Sequence, residues 1–222
     1  LLRAAMHGDV RIMLPLVVTV DEVRQARRLL ETAAAELDAR GVEYRHDLPL
    51  GVMVETPAAA LGSDTLIGEV AFFSIGTNDL VQYTLAVDRG NANLASRFTP
   101  LHPAVLRLIK RTVDVGHANG LEVSVCGEMA SQPIMAFALI GLGVRQLSVA
   151  ARSVPLVKAI VRGVSAEIAA EAANAALATR TARDSERELR SRLLAAFGDA
   201  DFLRDGLPEF VDGNTFEGIS GP

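Results

Sequence analysis

Several features that define whole classes of protein are scarce in this 222-residue sequence. It contains one cysteine, Cys126, which excludes an intrachain disulfide and fits a reducing cytoplasm. Its apolar runs, such as "IMLPLVVTV", are far shorter than the roughly 20 residues that cross a bilayer. No basic segment followed by an apolar one opens the chain, so no signal peptide is expected. These absences predict a globular, cytoplasmic protein without membrane insertion.

The charge balance limits the kind of partner. A net charge of −5 and a pI near 5.4 argue against a nucleic-acid-binding surface. Only two lysines occur, so most cations are arginines, whose guanidinium group matches phosphate and carboxylate geometry. The four histidines show no metal-ligand spacing, and no glycine-rich nucleotide loop is present. The arginine excess suits the binding of small anions, and genomic composition alone can also account for it.

Strand-like and helix-like segments alternate along the chain, which is typical of a parallel α/β sheet or barrel. Five apolar runs predict strands, at 10–18, 50–55, 71–76, 121–127 and 145–150. Amphipathic patterns and caps predict helices at about 19–40, from 56 onwards, and at 104–120, 133–143, 154–162, 166–179 and 184–197.

A complete eight-stranded barrel needs about 250 residues. We therefore predict a (β/α)8 TIM-type barrel that is N-terminally incomplete, with about three strands upstream. Residues 1–178 are expected to form the C-terminal part of the barrel, 179–198 an extra helix, and 199–222 a flexible tail.

Polar residues follow the predicted strands directly. Glu55 comes after "LGVMV" and Asp79 after "FFSIG", and the carboxyl ends of barrel strands form the active site. Neighbouring strands lie about 5 Å apart. Both carboxylates can then reach one Mg²⁺, which prefers oxygen ligands. Spacing alone leaves other roles open, because Glu55 can complement a helix dipole and Asp79 can cap a turn.

Three other residue types suit the chemistry of an anion site. Arg11 and Arg89 are candidate clamps for phosphate or carboxylate, and structural ion-pair arginines otherwise. Asn78 can donate to a substrate oxygen or tie down the turn. Cys126, at the end of a strand, can be a proton donor, a nucleophile or inert core packing.

Four longer segments carry a family resemblance: "GVMVETPAAAL", "FFSIGTNDLVQYTLAVDRGN", "PLHPAVLRLIKR" and "VCGEMA". They resemble enzyme I of the bacterial phosphoenolpyruvate:sugar phosphotransferase system, and the similarity runs from about residue 1 to 178. It implies a barrel of the phosphoenolpyruvate/pyruvate type. The chain departs from the family after "CGEMA", where Ser131 and Gln132 replace the usual Gly-Asp.

The resemblance assigns roles to particular residues. It implies that Glu55 and Asp79 hold Mg²⁺, which binds the phosphate and carboxylate of phosphoenolpyruvate. It implies that Asn78 and Arg89 contact the phosphate, with Arg11 a further arginine of the substrate pocket.

The resemblance also implies the reaction and its partners. Cys126 matches the acid that protonates enolpyruvate as pyruvate forms. The phosphoryl acceptor in the family is a histidine on a separate N-terminal domain, which none of the four histidines here matches. A histidine-containing phosphocarrier protein follows in the sugar phosphotransferase system, and the family forms homodimers.

Two other functions stay open from the sequence. A carbon–carbon lyase on a related barrel would also bind Mg²⁺ through Glu55 and Asp79, but would not need Cys126 or Arg89. The chain can also be a dimerisation fragment that is inactive alone.

Overall fold

The computed structural model describes residues 1–197, which fold around a five-stranded sheet. The strands are β1 Ile12–Leu14, β2 Leu50–Val54, β3 Phe72–Gly76, β4 Glu122–Cys126 and β5 Gln146–Leu147. The helices are α1 Val20–Ala39, α2 Pro57–Leu61, α3 Thr77–Leu85, α4 Pro103–Ala118, α5 Pro133–Gly141, α6 Val154–Gly163, α7 Ala166–Ala178 and α8 Ala182–Phe197. The predicted tail at 199–222 lies outside the described residues.

The five strands are all parallel and lie in chain order, from β1 at one edge to β5 at the other. Parallel neighbours joined by helices need right-handed crossovers, which place successive helices on the same side of the sheet. This is the strand arrangement of a (β/α)8 barrel, and it confirms the predicted fold class. The carboxyl ends of all five strands therefore meet at one edge, which we call the C-terminal edge.

Burial explains the apolar residues on one face of the central strands. Val52 and Val54 on β2 and their partners Phe73 and Ile75 on β3 share that face and are fully buried, since helices cover it. The predicted helix caps are also present. The Glu22 carboxylate accepts from the Thr19 N–H at 2.9 Å, as expected for a capping box.

Three elements differ from the predictions, and the first is β5, which spans only Gln146–Leu147 where a strand at 145–150 was predicted. Strand β1 ends at Leu14 rather than continuing to residue 18, because Leu16, after Pro15, adopts a left-handed conformation with φ of +52°. Helix α3 begins at Thr77 immediately after β3, in a segment for which the sequence predicted no helix. The polar residues at 77–79 therefore form the first turn of a helix.

The C-terminal helices pack against the rest of the molecule. Leu189 and Leu193 of α8 are fully buried and belong to the same hydrophobic core as the sheet. Within residues 1–197, no helix combines the length and apolar character needed to cross a membrane.

Candidate active site

The C-terminal edge brings together residues from three neighbouring strands. Glu55 follows β2, Asp79 lies in the first turn of α3 after β3, and Cys126 ends β4. Gly76 pairs with Cys126 in the register of β3 and β4, so both strands end at the same level. The sequence prediction that these side chains share one edge agrees with this geometry.

Glu55 is a buried carboxylate, with only 3% of its surface exposed. Its Oε1 atom accepts a hydrogen bond from the Leu16 N–H at 2.8 Å. Its Oε2 atom lies 2.6 Å from the position that a Cβ at Gly76 would occupy. A side chain at Gly76 would therefore displace Glu55, which explains a glycine at the end of β3.

The environment of Glu55 makes its carboxyl harder to ionise than a carboxyl in water when no cation is bound. Burial raises the pKa of the Glu55 carboxyl, and the charge of Asp79 raises it further, while the bond from the Leu16 N–H lowers it. A buried carboxylate beside a second carboxylate is an arrangement that a bound cation would stabilise.

Replacing Glu55 with glutamine is therefore expected to stabilise the metal-free chain at neutral pH. A raised folded-state pKa means that the folded chain binds this proton more tightly than the unfolded chain does. Stability from this group is fully present below the unfolded pKa and is lost as pH rises through the folded pKa. Glutamine retains an oxygen for the Leu16 N–H but carries no charge.

Thermal melts of the metal-free wild-type and E55Q chains test this expectation. The variant should melt a few degrees higher at about pH 7, and the difference should shrink towards about pH 4. Glu36→Gln, at an exposed position on α1, is the matched control. It should leave the melting temperature unchanged at both pH values. An E55Q chain that melts below the wild type at neutral pH would contradict the expectation.

Asp79 faces a cation from the following loop. The Arg89 guanidinium lies 4.0 Å from Asp79 Oδ1, and both side chains are partly exposed. The loop turns at Ala86, which is left-handed with φ of +53°. It is held by Gln82, whose Oε1 accepts from the Arg89 N–H at 3.2 Å. The two carboxylates and Arg89 together leave one excess negative charge.

Asn78 is oriented by a contact to the turn after β4. Its Oδ1 accepts from the Glu128 N–H at 3.2 Å. Because the amide oxygen faces Glu128, the amide nitrogen Nδ2 is the group that can donate to a substrate oxygen.

Cys126 is half-buried, and its contacts come from β3. Ser74 Oγ donates to the Cys126 Sγ at 3.9 Å, and the Sγ donates to the Ile75 carbonyl at 3.7 Å. Thr77 Oγ1 donates to the Cys126 carbonyl at 2.9 Å. The thiol therefore lies within a network of weak sulfur hydrogen bonds at the C-terminal edge.

Arg11 does not join this group, contrary to the expectation that it lines the substrate pocket. It precedes β1, and it forms an ion pair with Glu122, the first residue of β4. Its guanidinium also lies 5.7 Å from the ring centroid of Phe72, the first residue of β3. These contacts place Arg11 at the amino ends of the strands, the opposite edge of the sheet.

Sequence reasoning missed four residues that shape the site: Leu16, Gly76, Thr77 and Gln82. Gly76 and Thr77 lie within the segment that carries the resemblance, so their position was a usable signal. The roles of Leu16 and Gln82 depend on contacts across loops, and no local pattern indicates them.

The residues present fit a divalent cation only with help from a ligand. Within residues 1–197, no group of three or more His, Cys, Asp or Glu side chains could hold a metal ion. Mg²⁺ typically takes one or two protein carboxylates and completes its shell with water and substrate oxygens. The Glu55–Asp79 pair, with its excess negative charge, fits that mode of binding.

Comparison with known proteins shows the family to which the chain belongs. Residues 1–166 match a family model described as "PEP-utilising enzyme, PEP-binding domain", where PEP is phosphoenolpyruvate. The chain belongs to this family. The match covers every strand of the sheet and all of the edge residues described above, and it confirms the resemblance noted in the sequence.

Named relatives of this chain are longer proteins. The phosphoenolpyruvate-protein phosphotransferase of Haemophilus influenzae is 42% identical over 193 residues, which are 87% of this chain and 34% of that protein. The enzyme of the same name from Enterococcus faecalis is 41% identical over 177 residues, 80% of this chain and 31% of that protein. The chain thus spans about a third of the length of these relatives.

A solved structure supports the fold of the domain. A citrate lyase from Burkholderia xenovorans superposes with a TM-score of 0.50 and 22% identity, covering 90% of this chain and 68% of that one. At this identity the likeness shows the fold alone, and it carries no argument for lyase chemistry.

Proposed function

We propose that this chain binds phosphoenolpyruvate together with Mg²⁺, as part of a phosphoenolpyruvate–protein phosphotransferase. The observation that carries the proposal is the buried Glu55 beside Asp79, with Arg89, Asn78 and Cys126 on the same edge of the sheet. The names of the relatives support the activity of the longer protein.

Binding would divide between the carboxylates and the donors. Glu55 and Asp79 would hold Mg²⁺, which neutralises charge on the phosphate and carboxylate of the substrate. Arg89 would donate to phosphoryl oxygens through its guanidinium fork, and Asn78 would donate through Nδ2. These groups position the phosphoryl group and offset its charge, which is most of what phosphoryl transfer requires of a protein.

The transfer would leave the enolate of pyruvate at this edge. The bond between phosphorus and the substrate's bridging oxygen breaks as a histidine nitrogen of the acceptor bonds to phosphorus. Carbon C3 of the enolate then takes the proton of the Cys126 thiol, and pyruvate results. The thiolate recovers a proton from water, so the cycle balances.

The partners follow from the same proposal. We infer that the acceptor histidine lies on a separate N-terminal domain and passes its phosphoryl group to a histidine-containing phosphocarrier protein. We also infer that the protein forms a homodimer. We infer a cytoplasmic location, and the single cysteine supports that location.

Calorimetric titration of phosphoenolpyruvate into the chain tests the proposal directly. With Mg²⁺ present we expect heat of binding with a one-to-one ratio, and with EDTA we expect none. Binding that is the same with and without Mg²⁺ would contradict the assignment of the carboxylates. If the chain does not bind under either condition, the same titration of the full-length gene product decides between a fragment inactive alone and a wrong assignment.

A further inference from the structure

Thr77 joins two parts of the site that separate strands carry. It is the first residue of α3 and is 1% exposed. Its Oγ1 donates to the Cys126 carbonyl at 2.9 Å, and the next residue, Asn78, accepts from the Glu128 N–H at 3.2 Å. These two hydrogen bonds fasten the first turn of α3 to the turn after β4, and we call them the Thr77–Asn78 clasp.

The turn after β4 is built to allow this close approach. Gly127 lies between the two bonded residues and has a φ of +106°, a conformation that side chains rarely adopt. A Cβ on Gly127 would lie 2.5 Å from Thr77 Oγ1 and 3.1 Å from Asn78 Oδ1. The absence of a side chain there leaves the space that the clasp needs.

The clasp begins where the backbone connection ends. The pairing of β3 with β4 stops at Gly76 and Cys126. Beyond that pair, the side chains of Thr77 and Asn78 supply the hydrogen bonds between the two segments. The clasp therefore holds the first turn of α3, which carries Asn78 and Asp79, against the end of β4, which carries Cys126.

We propose that Thr77 is a positioning residue that holds the proton donor Cys126 in register with the phosphate-binding residues of α3. This inference rests on the proposed function, in which Asn78 holds the phosphate end of the substrate and Cys126 protonates C3. Phosphoenolpyruvate is small and rigid, so both contacts must be correct at the same time. A displacement of about 1 Å can lower a rate about 100-fold.

Two substitutions at Thr77 separate the hydroxyl from the shape of the side chain. Thr77→Val keeps the branched shape and loses the donor, whereas Thr77→Ser keeps the donor. In the full-length gene product, we expect Thr77→Val to lower kcat for pyruvate formation about 10-fold to 100-fold. The KM for phosphoenolpyruvate should change less than about threefold, because the binding groups remain. Thr77→Ser should restore kcat to within about threefold of the wild type.

A second readout needs no catalysis. Cys126 is the only cysteine of these 222 residues, so alkylation by iodoacetamide, followed by mass spectrometry of the peptide that contains Cys126, reports on this thiol alone. We expect Thr77→Val to raise the alkylation rate of the half-buried thiol at least threefold, and Thr77→Ser to leave it unchanged. Gly127→Ala disturbs the same contact from the other side and should raise the alkylation rate as well. This second variant still tests the clasp if the Thr77→Val chain fails to fold.

The outcomes distinguish the inference from the function on which it rests. Wild-type alkylation in folded Thr77→Val and Gly127→Ala chains would overturn the clasp. Equal loss of kcat in the valine and serine variants would also overturn it, since the hydroxyl would then be irrelevant. If Cys126→Ala retains pyruvate formation, the proposed function of Cys126 fails. The alkylation rates still test the clasp in that case.

Discussion

An Asp79→Asn chain is expected to lose Mg²⁺-dependent binding of phosphoenolpyruvate. Asparagine keeps the size of the side chain but removes one of the two carboxylates at the C-terminal edge, and the charge opposite Arg89. Loss of a partner that only supports a metal ligand typically costs about 10–100-fold in affinity, so loss of a ligand itself should cost at least that much. Calorimetric titration with saturating Mg²⁺ measures the change.

The control for Asp79→Asn is a substitution of the same kind elsewhere. The Asp47 side chain is 90% exposed, so Asp47→Asn should bind phosphoenolpyruvate as the wild type does. Thermal melts of both variants must show folded chains. If folded Asp79→Asn binds with wild-type affinity in Mg²⁺, Asp79 is a cap of α3 and the cation site is wrong.

Cys126→Ala is expected to abolish pyruvate formation while leaving substrate binding intact. The thiol is the proposed acid for C3, and general acid catalysis typically contributes about 10²–10⁴-fold to a rate. Release of pyruvate by the full-length gene product, followed through lactate dehydrogenase, should fall by at least about 100-fold. The KM for phosphoenolpyruvate should be little changed, since no binding group is removed.

A serine variant and an alternative reaction sharpen this test. Cys126→Ser retains a hydroxyl but is a far weaker acid than a thiol, so it should resemble Cys126→Ala. A carbon–carbon lyase on the same barrel has no need of this proton donor. Full activity in Cys126→Ala would remove the thiol from the mechanism and reopen the lyase alternative.

At Glu55, the folding stability of the metal-free chain conflicts with the proposed binding of a cation. The wild-type chain keeps a buried carboxylate whose pKa is raised by burial and by Asp79. A neutral residue would be more stable there in the metal-free protein. Such a cost is expected where a site is shaped for a ligand that the metal-free chain does not contain.

Strand content was predictable because it follows from a local pattern. Buried parallel strands read as short apolar runs, and β2, β3 and β4 lie within one residue of their predicted bounds. Polar residues after such runs must lie at one edge of a parallel sheet, which brought Glu55, Asp79 and Cys126 together in the prediction. Helix α3 was missed because its polar first turn resembles a loop.

The sequence by itself determined the parallel barrel sheet, its family and the edge that gathers most of the candidate site residues, because periodicity and motif wording are local properties. Only the tertiary structure decided the rest. It placed Arg11 at the opposite edge, because Arg11 precedes β1 and so lies at the amino ends of the strands. There it forms an ion pair with Glu122. It also joined Thr77 to Cys126, residues 49 positions apart, through a contact that depends on the register of β3 and β4.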